Sequence, residues 1–306
     1  MYKEYLKELG RIPSFLKKYL ELDSLIRLKK VSYLCGMDYA SDDIYDFREY
    51  ISRFDHSLDV ALITYKLTKD KKATLAGLFH DISTPCFSHV IDYMNKDYSK
   101  QESTEEYTER VLKSDKKLLK YLDEDNIDIN DIINFKKYTV VDNDRPKLCA
   151  DRLDGVILSA ISWTKDIEID EIKRIINNIK VFDNEKDEKE IGFCNLEIAK
   201  LVLEKSNNID IACHSDYDNY MMELLAEITR FSIKNKYISY EDLYIFDEET
   251  LYNKLKKTND IHLEKLIYKF ENITMEEIIR IKLPDIKKRD LNPLVNGIRL
   301  KTIIDD

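Results

Sequence analysis

Glycine and proline are scarce in this sequence, with six and five residues among 306, against a usual combined share of about 12%. Both residue types punctuate turns, so their scarcity argues against an all-β fold rich in turns and against a collagen-like repeat. With 43% hydrophobic residues, the chain can bury a large core, which argues against disorder. We therefore predict a globular, all-α fold.

Cysteines are few, and the sequence has no long hydrophobic run. The five cysteines are scattered and nowhere spaced as CxxC, so neither a disulfide framework nor a zinc knuckle is predicted. The longest apolar run without charge, Gly155 to Thr164, is far too short to cross a bilayer. The first residues, MYKEYLKELG, lack the apolar stretch of a signal peptide. These features predict a cytoplasmic protein without a membrane partner.

Positive charge is in deficit. Lysine and arginine number 49 against 59 acidic residues, which gives a net charge of −10. The chain as a whole therefore does not attract nucleic acid or an anionic membrane, and nucleic acid is not expected as a partner. Any phosphate must be bound by a local group of cations.

The helical pattern indicates where two functional segments lie. Apolar residues recur at three- and four-residue steps from His56 onwards and again before Asp81. Because Pro85 has no amide hydrogen to bond back to Asp81, the second helix should end near Asp81. A further helix is predicted to open at Pro146, and another to follow a capping box formed by Ser99 and Glu102 and to run to about Leu122.

The second half of the chain shows a charged break and a different tail. The run DNEKDEKE at residues 183–190 is the best candidate for a linker or loop, and it divides the chain into a core, residues 1–182, and a mostly helical C-terminal region, residues 183–306. The tail contains Pro293 and Gly297 among alternating apolar residues, which predicts a small β-hairpin at the end.

Histidine is rare but unevenly placed. Three of the five histidines fall between positions 56 and 89, and one of them forms the pair His80-Asp81. A single histidine near apolar residues is more often structural than functional. The segments RFDHS, GLFHDISTPCFSH and CADRLDG together resemble the H…HD…D signature of the HD-domain metal-dependent phosphohydrolases.

The resemblance is nearest to the branch of deoxynucleoside triphosphate triphosphohydrolases. That branch has an arginine three residues before the first histidine and the letters FSH after the HD pair, and this sequence has Arg53 and Phe87-Ser88-His89 there. The similarity is good over residues 10 to 165. It implies an HD-domain helical bundle that hydrolyses a small phosphorylated, nucleotide-like substrate, and family relatives are often homo-oligomers, although no segment here specifies an interface.

The resemblance implies that His56, His80, Asp81 and Asp151 hold one divalent cation. Two imidazole nitrogens and two carboxylate oxygens suit Mn, Fe, Ni or Zn, and also Mg. Such a cation polarises a phosphoryl oxygen and lowers the pKa of its bound water. Because Asp81 is one of the implied ligands of this cation, we assign it to catalysis as well as to metal binding.

Three residues near these ligands are candidates for substrate binding. Arg53 and Arg152 could clamp phosphate oxygens, with an ion pair to a carboxylate as the alternative for each. Asp154 is the third candidate, and it shares a helix face with Asp151 and Gly155. Glycine inside a helix is unfavourable by about 1 kcal/mol relative to alanine, so substrate or another helix is expected to approach Gly155 closely.

The sequence also departs from the triphosphohydrolase branch. Thr84 and Gln101 stand where the branch has histidines, and we assign them to substrate binding. His89 and Glu102 are then the remaining candidates for acid–base catalysis. Gly155 stands where the branch has an aromatic residue that supports the sugar.

Two functions follow from this pattern. The first is a metal-dependent phosphohydrolase that cleaves a phosphate ester or anhydride. The alternative is a catalytically weak nucleotide-binding regulatory module, because two histidines of the branch are replaced.

Overall fold

The computed structural model of the chain describes residues 1–99, 107–281, 283 and 286–305. It is 59% helix and 5% strand, which confirms the predicted helical fold class. The helices are α1 (Tyr2–Leu9), α2 (Asp23–Ile26), α3 (Arg53–Thr68), α4 (Lys71–Phe79), α5 (Val90–Asn95), α6 (Thr108–Ser114), α7 (Lys116–Glu124), α8 (Asn130–Ile133), α9 (Ala150–Ser162), α10 (Ile169–Asn178), α11 (Leu196–Cys213), α12 (Asp216–Lys234), α13 (Asp242–Ile245), α14 (Glu248–Lys256), α15 (Ile261–Asn272) and α16 (Leu300–Asp305).

Helices α3 and α4 form a hairpin whose ends are set by side-chain caps. Ser52 and Asp55 form a reciprocal capping box at the start of α3. Asp70 accepts hydrogen bonds from the first backbone amides of α4. Helix α4 ends at Phe79, and His80 is its C-cap residue, in agreement with the end predicted from Pro85. His80 and Asp81 therefore follow the last turn of α4.

Helix α9 begins four residues later than predicted. The expected start was Pro146, but the first helical residue is Ala150. The reason is that the amides of Ala150 and Asp151 donate to the carbonyls of Val140 and Val141, so the preceding loop occupies the place of a first turn. Asp151 consequently lies in the first turn of α9.

The predicted helix up to Leu122 is two helices. Asp115 ends α6 and caps α7 by accepting from two amides of its first turn, so the chain breaks there. Of the predicted capping box, Ser99 lies in a turn, whereas Glu102 lies outside the described residues.

A small four-stranded sheet shows that the segment predicted as a linker or loop is a loop. Strands β1 (Ile179–Asp183) and β2 (Lys189–Phe193) pair antiparallel, so the charged run is the turn of a hairpin. The predicted C-terminal hairpin is confirmed as β3 (Leu294–Val295) and β4 (Ile298–Arg299). Strand β3 pairs parallel with β2, which attaches the tail of the chain to the first hairpin.

Two buried apolar clusters form the interior of the molecule. The first combines α3, α4, α9, α10 and α11 with β2 and the tail. The second is built around α12, α14 and α15 and includes residues after the HD pair, such as Phe87 and Val90. The first cluster continues across the predicted boundary at residue 183, because Ile179 and Ile191 both belong to it. In the described part of the chain, every helix is too short or too polar to cross a membrane.

Candidate metal centre

Three helices bring the predicted ligands together. His56 lies in the first turn of α3, His80 and Asp81 follow α4, and Asp151 begins α9. The Nε2 atom of His56 lies 3.0 Å from Asp151 Oδ1, and that of His80 lies 3.6 Å from the same oxygen. The carboxylate of Asp81 lies 3.9 Å from His56 Nε2 and 3.8 Å from His80 Nε2. His56, His80 and Asp151 therefore face one point, and the carboxylate of Asp81 borders it.

The back of each imidazole is fixed by a hydrogen bond. His56 Nδ1 lies 2.7 Å from Asp154 Oδ2, and His80 Nδ1 lies 2.7 Å from the carbonyl of Gly77. Both bonds require a proton on Nδ1, which leaves the Nε2 lone pairs directed at the centre. Metal-ligating histidines are usually held in this way.

The donor set fits a divalent cation. His80 Nε2 is buried and has no hydrogen-bond partner among the described residues, and such an orphaned atom is unfavourable unless something binds it. His56, His80 and Asp151 each offer a ligand atom, and these atoms lie within 4.8 Å of one another. Two imidazoles and two carboxylates match the preferences of transition metals and zinc.

The pKa shifts within the cluster also favour positive charge at this site. Burial would lower the pKa of His56, but hydrogen bonds to Asp151 and Asp154 outweigh burial and raise it to about 10. Burial would raise the pKa of Asp81, but His80, Arg53 and His56 outweigh it and lower this pKa to about 2. Without a cation, His56 therefore holds a second proton, and a bound cation would replace it.

Asp154, a predicted substrate-binding residue, lies behind the His56 ring and does not line the cavity described below. Its side chain is fully buried and receives hydrogen bonds from His56 and from the hydroxyl of Tyr5, at 2.6 Å. Helix geometry places a residue three positions after Asp151 on a neighbouring part of the helix face, where it meets the far edge of the His56 ring. Asp154 therefore fixes the orientation of the His56 imidazole.

Both arginines form the alternative contacts that the sequence left open. Arg53 is buried, forms an ion pair with Asp81 at 2.9 Å and donates to Ser88 Oγ. Arg152 donates to the carbonyls of Lys147 and Asn143 and lies 3.5 Å from Asp142. Both line the cavity described below. In this structure Arg53 thus holds Asp81, and Arg152 holds the loop before α9.

The remaining predicted site residues are divided between two environments. Thr84 is buried, and its hydroxyl has no hydrogen-bond partner among the described residues. It does not line the cavity, so the structure does not bring it together with the other predicted residues. The tight turn after α4 directs its side chain inwards. His89 lines the cavity, and its Nδ1 lies 2.9 Å from Asp92. Gln101 and Glu102 lie outside the described residues.

A cavity of about 710 Å³ opens in front of the ligands. This volume is typical of a site for a small molecule. Its wall has an aromatic and apolar part and a charged part. The former includes Tyr45, Phe47, Trp163 and Met222, and the metal-ligand candidates lie in the latter.

Tyr33 covers the glycine that the sequence singled out. A Cβ atom on Gly155 would lie 2.9 Å from the hydroxyl of Tyr33. The ring of Tyr33 lies 4.8 Å from the guanidinium of Arg53 and 5.1 Å from the ring of His56. Tyr33, from the N-terminal part of the chain, thus approaches α9 at a position where glycine leaves room for it and a residue with a Cβ atom would not.

Sequence reasoning missed three side chains at this centre. Tyr33 and Asp142 line the cavity, and Tyr5 binds Asp154 from behind. Asp142 also forms a possible ligand group with Cys149 and Asp151. The sequence does contain a signal for Asp142, because this carboxylate lies only nine residues before Asp151. It contains none for Tyr5 and Tyr33, because both are distant in sequence from the residues that they contact.

Comparisons with known proteins agree with this geometry. The family model of the HD domain matches residues 53–155. The chain is 23% identical to the uncharacterized protein YdhJ of Bacillus subtilis over 75% of this chain and 69% of that protein. It is 25% identical to the metal-dependent phosphohydrolase cns2 of Cordyceps militaris over 43% of this chain and 37% of that protein.

A solved structure has the same fold. The crystal structure of a hypothetical protein from Aquifex aeolicus superimposes with a TM-score of 0.63 at 18% identity and covers 85% of this chain and 72% of that one. The match to the HD model begins at Arg53 and ends at Gly155, so it contains all four converging ligands. Residues 53–155 therefore belong to the HD-domain superfamily.

Proposed function

We propose that this protein is a metal-dependent phosphohydrolase that cleaves a phosphate ester or anhydride of a nucleotide-like small molecule. The observation that carries the proposal is the convergence of two imidazole Nε2 atoms and two carboxylates on one wall of a cavity. Two carboxylates brought together in a cleft repel each other unless a cation holds them. The related cns2 protein is named a metal-dependent phosphohydrolase, which supports the same chemistry.

The chain's own residues hold and orient the reacting groups. His56, His80, Asp81 and Asp151 would bind the cation, which supplies Lewis acidity to a phosphoryl oxygen and lowers the pKa of water. Arg53 fixes the carboxylate of Asp81 by its ion pair. These contacts preorganise the ligands before substrate arrives.

His89 is the candidate for proton transfer. Burial lowers the pKa of its imidazole, although Asp92 opposes the shift, so the ring is neutral at pH 7. With Nδ1 bonded to Asp92, the Nε2 atom is free to accept a proton from a group in the cavity. His89 therefore acts as a base in this proposal.

The aromatic part of the cavity supports a nucleotide-like substrate. Phe47, Tyr45 and Trp163 provide flat apolar surface in the same cavity as the metal ligands. A planar base packs favourably on such rings, while its phosphate lies at the charged wall.

The test is turnover with and without metal. Purified protein is assayed against a panel of nucleotides and simple phosphomonoesters with Mn, Mg, Ni, Fe or Zn added. We expect metal-dependent release of phosphate or pyrophosphate and at least a hundredfold loss in Asp81→Ala, because a ligand and its charge are removed. The matched control Asp123→Ala, an exposed carboxylate on α7, should leave the rate unchanged. Metal-independent turnover, or turnover that survives Asp81→Ala, would refute the proposal.

The alternative is a regulatory module that binds a nucleotide without consuming it. It is favoured by the position of Thr84, whose hydroxyl does not reach the cavity and so does not replace an imidazole there. Calorimetry and product chromatography on the same samples separate the two functions. Tight binding without product supports the module, and rapid product formation eliminates it.

A further inference from the structure

The segment before β3 runs along the cavity and is fastened at several points. The amide of Arg289 donates to Asp210 on α11 at 2.7 Å, and Ser206 on the same helix donates to the carbonyl of Arg289. The amide of Asn292 donates to the carbonyl of Pro146 at 2.7 Å. The tail is therefore fixed against both α11 and the loop that precedes α9.

This fastening brings cations from two distant parts of the chain to one wall of the cavity. Lys287 and Arg289 come from the tail, and Arg145 comes from the loop before α9; all three line the cavity that contains the metal ligands. The guanidinium of Arg145 donates to the carbonyl of Asp290, which joins the two segments directly. Lys287 and Arg289 lie outside the residues that match the HD-domain model.

Arg145 and Lys287 lie close enough to Arg289 for its positive charge to disfavour their protonated forms. Burial, together with the nearby charges of Arg289 and Arg152, lowers the pKa of Arg145 to about 10. Burial also lowers the pKa of Lys287, and Arg289 and Arg145 add to the shift. Like charges that are partly desolvated together are unfavourable, and an anion between them removes the repulsion.

Within the described residues, neither Arg145 nor Lys287 forms an ion pair with a carboxylate. Several carboxylates that line the cavity already have partners: Asp81 with Arg53, Asp142 with Arg152, Glu188 with Lys147, and Asp218 with Tyr45. In a chain with a net charge of −10, a group of cations at this wall is a local feature.

We propose that Arg145, Lys287 and Arg289 form an anion subsite beside the metal centre, and that the ligand is a small molecule with a second phosphoryl group in addition to the one at the metal. This inference rests on the proposed function for the phosphoryl group at the metal, whereas the subsite itself is built from residues that do not ligate it. A guanidinium binds phosphate through two parallel hydrogen bonds, and an ammonium adds a point charge.

Binding of inorganic pyrophosphate to metal-free protein tests the subsite. Protein treated with EDTA and dialysed is titrated with pyrophosphate by calorimetry at low salt. Arg145→Met and Lys287→Met should each weaken binding about tenfold, as expected for loss of one charge-assisted contact. Arg145→Lys should recover part of the affinity. The matched control is Lys288→Met, which removes the same charge from the next, exposed residue outside the cavity and should bind like the wild type.

The outcomes separate this inference from the proposed function. Absence of pyrophosphate binding to the wild type, or equal weakening in Lys288→Met and Lys287→Met, would overturn the subsite even if the enzyme hydrolyses phosphate esters. Selective weakening would support the subsite even if no substrate is turned over. Thermal unfolding of each variant excludes loss of folded protein as the cause. With active enzyme, Lys287→Met should lower kcat/KM about tenfold for a substrate with two phosphoryl groups and leave a monophosphate substrate unaffected.

Discussion

Replacing Asp154 by asparagine tests whether this buried carboxylate acts through His56. One oxygen accepts from His56 Nδ1 at 2.7 Å and the other accepts from Tyr5 at 2.6 Å, with Asp154 and His56 almost completely buried. Burial raises the pKa of the Tyr5 hydroxyl well above its ordinary value, so Tyr5 stays protonated and donates. Asparagine keeps the shape but loses the charge, and its amide NH₂ can face the ring and favour a proton on Nε2, where the metal must bind.

The magnitude follows from this geometry. A hydrogen bond between a charged acceptor and a buried donor contributes about 1.5–3 kcal/mol, and loss of a partner behind a metal-ligating histidine weakens metal binding by about 10–100-fold. The two figures agree, because a factor of ten corresponds to about 1.4 kcal/mol. We therefore expect Asp154→Asn to weaken Mn or Zn binding about 10–100-fold.

The assay is competition with a chelating dye on folded protein, with the folded state checked by thermal unfolding. Tyr2→Phe is the control: Tyr2 also lies on α1, but its hydroxyl lies 3.4 Å from Asp59 rather than against Asp154. It should bind metal like the wild type. If folded Asp154→Asn also has wild-type metal affinity, then Asp154 does not orient the ligand and the reasoning fails.

Three further predictions concern the cavity wall. Gly155→Ala should destabilise the wild-type protein, because its Cβ would lie 2.9 Å from the hydroxyl of Tyr33. In the Tyr33→Phe background the same substitution should stabilise the protein by up to about 1 kcal/mol. Equal effects in the two backgrounds would contradict the contact. Burial raises the pKa of Asp218 to about 7, so the folded state holds a proton that the unfolded state releases, and stability should fall as pH rises from about 4 to 7. Asp218→Asn keeps an acceptor for Tyr45 and should remove this loss of stability, which is at most on the order of 4 kcal/mol. A pH profile of unfolding that is the same in the variant and the wild type would refute this role of Asp218. Arg152→Met should lower the free energy of unfolding by about 2 kcal/mol, because its guanidinium holds the loop before α9; a variant of wild-type stability with lost substrate affinity would instead place this arginine on the substrate.

The helical class was predictable from composition, and the end of α4 was predictable from one residue. Few glycines and prolines leave long stretches free to follow the 3.6-residue period, and Pro85 cannot donate the hydrogen bond that would continue the helix. The start of α9 was not predictable in this way. Its first amides bond to Val140 and Val141, and a pattern of apolar residues does not show such a contact.

The sequence by itself determined which donors this protein offers, because His56, the pair His80-Asp81 and Asp151 stand in segments with a recognisable order and spacing, and local helix periodicity gives them a common side. Only the tertiary structure decided what the neighbouring residues do. Asp154 is drawn behind His56 by Tyr5, 149 residues away, and Lys287 reaches the cavity because the tail is fastened to α11. The physical reason is that helix propensity and capping act over a few residues, whereas the partner of a buried polar group is set by the packing of segments that are far apart in the chain.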